Sequence, residues 1–170
     1  LYARRLSAHI PDNIDFDRLP TRFRAITSDI ATGQTVVLKS GSLATAIRAS
    51  MSIPGIFAPV ELQGKLLVDG GISKNIPVDT MQEMGADVLI VVDVGSPLED
   101  NSQLSDFISI TNQLTTILTQ NNSARQLDRL SSKDFLIRPE LSAVSSTEFD
   151  KSRIAINSGY LATTAIIDKL

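Results

Sequence analysis

Leu66-Leu67-Val68-Asp69-Gly70-Gly71 decides the reading of this chain. A short apolar run delivers one carboxylate into a bend that opens with two glycines. Glycine admits positive φ and lets another group approach closely, because no Cβ stands in the way. A carboxylate held there can meet a reacting group. A lone Asp-Gly is more simply a turn at a strand end, so the case for chemistry rests on the flanks.

Outward from Asp69, the pattern is that of alternating strands and helices. Lys65 to Val68 predicts a strand. Pro77 to Met84 predicts a helix with proline in its first turn and Gly85 at its end. Ala86 to Val94 is β-branched and nearly all apolar, as expected of a strand covered on both faces. Helix followed at once by buried strand is the second half of a βαβ unit. Upstream, Arg22 to Ile30 and Gln34 to Lys39 read as strands joined through Ala31-Thr32-Gly33, a hairpin. Ser42 to Ser50 reads as a helix capped by Ser42, and Pro54, Gly55 and Pro59 exclude regular helix after it. The N-terminal residues to Ile10 read as the end of a helix stopped by Pro11. Leu104 to Leu130 reads as a long helix. Its stripe of Leu104, Phe107, Ile108, Leu114, Ile117, Leu118, Leu127 and Leu130 is a core-facing one. Asp134 to Arg138 is a last strand, 142 to 148 a Ser/Thr-rich loop, and Ser152 to Leu170 a final helix. The expected architecture is a three-layer α/β/α fold with a mainly parallel sheet, residues 1–170 forming a portion of one domain.

Composition narrows function. The chain has 170 residues, 42% hydrophobic and 21% charged, enough for a core. A net charge of −3 argues against general nucleic-acid binding. Arg4, Arg5, Arg18, Arg22 and Arg24 alternate with acidic residues and read as a solvated surface. The absence of cysteine removes disulfides, thiolate metal sites and a cysteine nucleophile, and is compatible with the cytoplasm and with an oxidising compartment alike. No apolar run reaches the ~20 residues of a membrane helix.

Few chemical groups remain. No Gly-x-Ser-x-Gly occurs, and Ser42, Ser73 and Ser96 all lack the elbow pattern. His9 is the single histidine, so an internal Ser-His-Asp triad would have to use it; a surface or packed role is its better account. Asp93, with Asp29 and Asp69, could form a hard-cation site, although capping and turn-making account for Asp29 and Asp93 more simply. No phosphate-binding glycine loop is present.

Asp69 stands out by its brackets. Upstream lies Ala49-Ser50-Met51-Ser52-Ile53-Pro54, then Phe57-Ala58-Pro59-Val60; downstream lie Asn75-Ile76-Pro77-Val78 and Gly85-Ala86-Asp87. Together with Ala25-Ile26-Thr27-Ser28-Asp29 and Thr32-Gly33, this order resembles the C-terminal half of a patatin-like phospholipase domain over about residues 20 to 97. The family pattern allows Asp-Gly-Gly or Asp-Gly-Ala at the motif. Gln126-Leu127 and Phe135-Leu136-Ile137-Arg138-Pro139 are similar to bacterial members in which a secreted patatin domain precedes an outer-membrane barrel; a cytoplasmic location is the alternative.

The resemblance implies a lipid acyl hydrolase working by a Ser-Asp dyad. Asp69 takes the place of the dyad aspartate, with Gly70 and Gly71 completing the motif. The serine elbow and oxyanion loop belong to sequence N-terminal to the matched region, so this chain carries no nucleophile and is expected to be inactive alone. No cofactor or metal is implied. The implied partners are a lipid or ester substrate at a membrane surface and the N-terminal half of the same domain. The rival reading is a non-catalytic α/β module in which Asp69-Gly70-Gly71 is a turn and the long helix serves homo-oligomerisation.

Overall fold

The computed structural model describes residues 2–100, 104–142, 144 and 148–169. Helix α1 (Tyr2–Leu6) is followed by strand β1 (Ile14–Asp15), β2 (Ala25–Asp29), β3 (Thr35–Leu38) and β4 (Ser40–Gly41). Then come α2 (Leu43–Ser50), β5 (Val60–Leu62), β6 (Lys65–Asp69), α3 (Gly71–Lys74), α4 (Val78–Glu83) and β7 (Ile90–Val92). Long helix α5 (Phe107–Leu127), β8 (Phe135–Ile137) and α6 (Ser152–Thr164) complete the order. The loop expected at 142 to 148 lies largely outside the described residues.

Both halves of the α/β expectation have helices where the sequence puts them. The Ser42 hydroxyl accepts the Thr45 N–H at the start of α2. Gly33, at φ +70°, turns the β2–β3 hairpin. The first helix is shorter than expected, and exposed His9 lies in the turn beyond it. Of the arginines near the start, Arg4, Arg5, Arg18 and Arg22 are exposed, whereas the Arg24 side chain is largely covered; Arg22 and Arg24 both bond the Asp17 carboxylate, at 2.9 and 2.8 Å.

The sheet corrects one expectation. It is not mainly parallel: four strands run in the order β3-β2-β6-β5, antiparallel throughout. The reason is local. Gln63 and Gly64 both take positive φ, at 53° and 73°, and form a two-residue hairpin between β5 and β6, a link available only to antiparallel neighbours. Among the described residues, parallel pairing is confined to β7 and β8.

Helices cover both faces of the four-stranded sheet. On one, Ala46 and Ala49 of α2 pack with Ala25, Leu38, Leu67 and Phe16. On the other, Ser28 of β2 meets Ser73 of α3 at 2.7 Å. A second apolar cluster joins Ile76, Val78, Leu89 and Val91, with Leu127, Leu130 and Leu136 packed against it.

The fully covered strand is β2, not the apolar run at 86–94. All five β2 residues are buried although three are Thr27, Ser28 and Asp29. Their polar groups are satisfied: Thr27 Oγ1 donates to Val36 O, and Asp29 accepts from the Ala31 N–H and the Thr32 hydroxyl. In β7, Val91 is buried, whereas Ile90 and Val92 are each more than half exposed. Composition identifies a strand there, but α4, α5 and β8 cover one side of it.

The α5 stripe also divides. Leu127 and Leu130 join the second cluster, while Phe107, Leu114, Ile117 and Leu118 are exposed. Among the described residues no helix is long and apolar enough to cross a membrane.

Candidate active site

Asp69 is the last residue of β6, and three neighbours fix its backbone. It lies opposite Thr27 of β2 in register. Its N–H donates to Ser52 O at 3.0 Å, which ties it to the loop after α2. That loop is braced in turn by Arg48, whose guanidinium donates to the Ser52 hydroxyl and to Ala58 O and lies over the Phe57 ring, 5.2 Å from its centroid.

The side chain of Asp69 is half-buried. Its Oδ1 accepts the Gly71 N–H at 2.7 Å. Among the described residues Oδ2 has no hydrogen-bond donor, and no unpaired side-chain oxygen is buried. One oxygen is thus anchored and the other is open to an incoming donor. Burial pushes the carboxyl pKa above its ordinary value, and the Gly71 N–H, which favours the carboxylate, opposes this only in part.

The two glycines serve close approach rather than positive φ. Gly70 has φ −66° and ψ −24°, a conformation open to any residue. A Cβ at position 70 would stand 2.3 Å from the Ile26 carbonyl oxygen and 2.6 Å from its carbon. At position 71 the nearest atoms would be Asp69 Oδ1 at 3.0 Å, Asn75 Oδ1 at 3.3 Å and Thr119 Oγ1 at 3.4 Å.

The last of these contacts reveals a part of the site that the sequence reading missed. One face of α5 is a ladder of polar groups laid along the segment after Asp69. Thr119 Oγ1 donates to Gly71 O at 3.1 Å, and Asn122 Nδ2 to the same oxygen at 2.6 Å. Asn122 Oδ1 accepts the Asn75 N–H at 2.7 Å. Ser123 bonds the Asn75 side chain, and Gln126 bonds both the backbone N–H and the carboxylate of Asp79. The signal was present as Thr119, Asn122, Ser123 and Gln126, polar residues at helical spacing. It was masked by the apolar residues counted as a stripe.

Asp79 anchors the far end of this segment. Burial pushes its carboxyl up, but hydrogen bonds from Lys74, Gln126 and the Thr80 N–H outweigh it and hold the pKa below the ordinary value. Its folded-state value being depressed, the contribution is present above the unfolded pKa and lost as pH falls. Lys74→Met is therefore expected to lower Tm at pH 7 and to converge with the wild type in acid, below the ordinary aspartate range, as thermal melts across pH will show.

The structure does not gather the three candidate cation ligands. Asp29 is committed to its turn, with Lys65 3.8 Å away. Asp93 pairs with Arg138 and the Gly95 N–H at 3.1 Å. Among the described residues no group of three acidic or histidine side chains could hold a metal. Ser73 is held by Ser28 and Thr35, which is a packing role. An apolar cleft of about 280 Å³ lies elsewhere, between α4 and β7.

Comparison with known proteins gives matches in sequence over the same region. Residues 2–81 match the model of the patatin-like phospholipase family, a span that contains Asp69, Gly70 and Gly71. An NTE family protein of Mycobacterium tuberculosis is 39% identical over 79 residues, covering 46% of this chain and 22% of the relative. Patatin-like phospholipase domain-containing protein 7 of Mus musculus is 29% identical over 85% of this chain and 12% of the relative. A lysophospholipase of Aspergillus fumigatus is 30% identical over 87% of this chain and 11% of the relative. The chain thus spans less than a quarter of the length of these relatives. Residues 2–81, which carry the glycine-flanked bend at Asp69, are thus similar to the patatin-like phospholipase family, and NTE family proteins are among the relatives of this chain.

Proposed function

We propose that this chain supplies the acid/base carboxylate of a lipid acyl hydrolase that works through a serine–aspartate pair, with the serine and the oxyanion donors contributed by sequence outside these 170 residues. The observation that carries the reading is the state of Asp69: partly desolvated, fixed through Oδ1, and open at Oδ2. The names of the mouse and fungal relatives support a phospholipid or lysophospholipid ester as substrate.

Asp69 Oδ2 takes the proton of the serine hydroxyl as the serine oxygen bonds the ester carbonyl carbon. The developing oxyanion needs donors of its own. As the ester C–O bond breaks, the Asp69 carboxyl returns the proton to the leaving alcohol. It then takes a proton from water as the water oxygen attacks the acyl carbon, and returns that proton to the serine oxygen as the acyl–serine bond breaks and the fatty acid leaves. A carboxylate is a weaker base than imidazole, and desolvation strengthens it.

The test is covalent labelling. The intact polypeptide is expected to react with a fluorophosphonate and to hydrolyse a short-chain ester. The 170-residue chain alone is expected to do neither, since it contains no Gly-x-Ser-x-Gly elbow. Labelling of a serine within 1–170 in the isolated chain overturns the assignment. A second expectation concerns pH. The catalytic form is the carboxylate, so the acid limb of kcat/KM should lie above the ordinary aspartate range, as burial dictates. A limb in or below that range counts against Asp69 as the base.

A further inference from the structure

We propose that Asn122 is a positioning residue for Asp69, acting through Gly71. This inference rests on the acid/base reading above and extends it to a helix some fifty residues further along the chain. The geometry runs in two bonds. Asn122 Nδ2 donates to Gly71 O at 2.6 Å, and Gly71 N–H donates to Asp69 Oδ1 at 2.7 Å. Gly71 is thus held on both sides, its carbonyl by α5 and its amide by the carboxylate.

The brace is needed because α3 cannot hold itself. It has four residues, and its N-terminal flank Gly70 offers no side-chain cap. So short a helix is unstable without outside contacts. Asn122 supplies them at both ends: its amide nitrogen serves Gly71 O and, at 3.2 Å, Ile72 O, and its Oδ1 accepts the N–H of Asn75. Thr119 adds a second donor to Gly71 O. The platform is firm, since α5 runs 21 residues and opens with a reciprocal Asp106–Ser109 capping box.

Few charges compete for control of Asp69. Lys74 of α3 is engaged by Asp79, and Arg48 of α2 by Ser52 and Ala58. Asp29 of β2, paired with Leu67 in register, faces Lys65; on α5 the cation is Arg125, in the last turn beyond the Gly71 contact. Burial and the Gly71 N–H remain as the causes that set its proton affinity.

The test uses the intact protein. Asn122→Ala is compared with the wild type and with Gln113→Ala, a control on the same helix that bonds Glu99 instead. Two readouts are taken: the pH midpoint of the Asp69 carboxyl by carbon NMR, assigned by its loss in Asp69→Asn, and the steady-state constants for a lysophospholipid. In Asn122→Ala the midpoint is expected to rise by about half a unit or more, and kcat to fall roughly tenfold with KM unmoved. Gln113→Ala should move neither. Should Asn122→Ala fail to fold, Thr119→Val removes one donor to the same carbonyl, and a smaller shift in the same direction is expected. An unmoved midpoint or an unmoved kcat in the folded variant overturns the inference. Retained turnover in Asp69→Asn strikes the acid/base reading instead, and the NMR midpoint then judges Asn122 by itself.

Discussion

Asp69→Asn is expected to reduce ester hydrolysis by the intact protein by about three orders of magnitude, within the span of general acid–base contributions. The substitution is nearly isosteric, and the amide oxygen can still accept the Gly71 N–H that now bonds Oδ1. The fold therefore has no reason to change. What disappears is the capacity of the second oxygen to take a proton. Stability gives an independent check, and its sign can be worked out. The folded-state pKa of Asp69 is raised by burial, so folding disfavours its charged form. That penalty is fully present above the folded pKa and vanishes below the unfolded one. Asp69→Asn should thus match or exceed the wild-type Tm at pH 7, with any gain lost near pH 3. A variant that is both inactive and more stable at neutral pH is hard to explain as a broken turn, which would lose stability. A variant that keeps near wild-type turnover removes Asp69 from the reaction and favours the non-catalytic module.

The legible parts of this chain were those where short-range chemistry decides. The Ser42 cap, the Gly33 hairpin, the Gly85 helix stop and the Asp69 bend all depend on neighbours within a few residues, and all are present. Pairing was harder to read. The long-range direction of β6 against β2 depends on which strands sit between, and β5 was invisible behind Pro54 and Pro59. Gln63-Gly64 was the available signal for it. Burial misled in both directions. Apolar Ile90 and Val92 are exposed, while Thr27, Ser28 and Asp29 are buried, because coverage depends on which elements pack nearby and hydrogen bonds make polar burial tolerable.

The candidate site was half legible for a related reason. Asp69 and its glycines form a contiguous motif. Their support from Thr119 and Asn122 arrives from a helix about fifty residues away. Hydropathy reading treats such positions as a solvated face. The polar face of α5 is instead where the bend after Asp69 is held, and its apolar residues are divided between the second core cluster and the surface.

Gly70→Ala is expected to be the most damaging alanine at any glycine of the chain, costing about 3 kcal/mol or more, at the upper end of overpacking effects. The backbone at position 70 is helical and would accept alanine, so the cost is purely steric. The new Cβ would meet Ile26 O at 2.3 Å and Ile26 C at 2.6 Å. Those are backbone atoms of the central strand, and no rotamer change relieves them. The same carbonyl accepts the Ser50 hydroxyl at 2.7 Å, so β2 cannot move without releasing α2. The end of β6 must therefore lift away from β2, which breaks the Thr27–Asp69 pairing and carries the carboxylate with it. Urea unfolding should show a lower midpoint with the slope unchanged, and hydrolysis should fall with it. Gly71→Ala is the control. Its nearest contact is the end of the Asp69 side chain at 3.0 Å, then two more side-chain oxygens, all able to yield by a few tenths of an ångström. It should cost about 1 kcal/mol, and its loss of turnover should follow from the shift it forces on Asp69 Oδ1 rather than from unfolding. The first glycine faces backbone and the second faces side chains. Equal stability losses in the two variants would mean that Ile26 does not impose the bend.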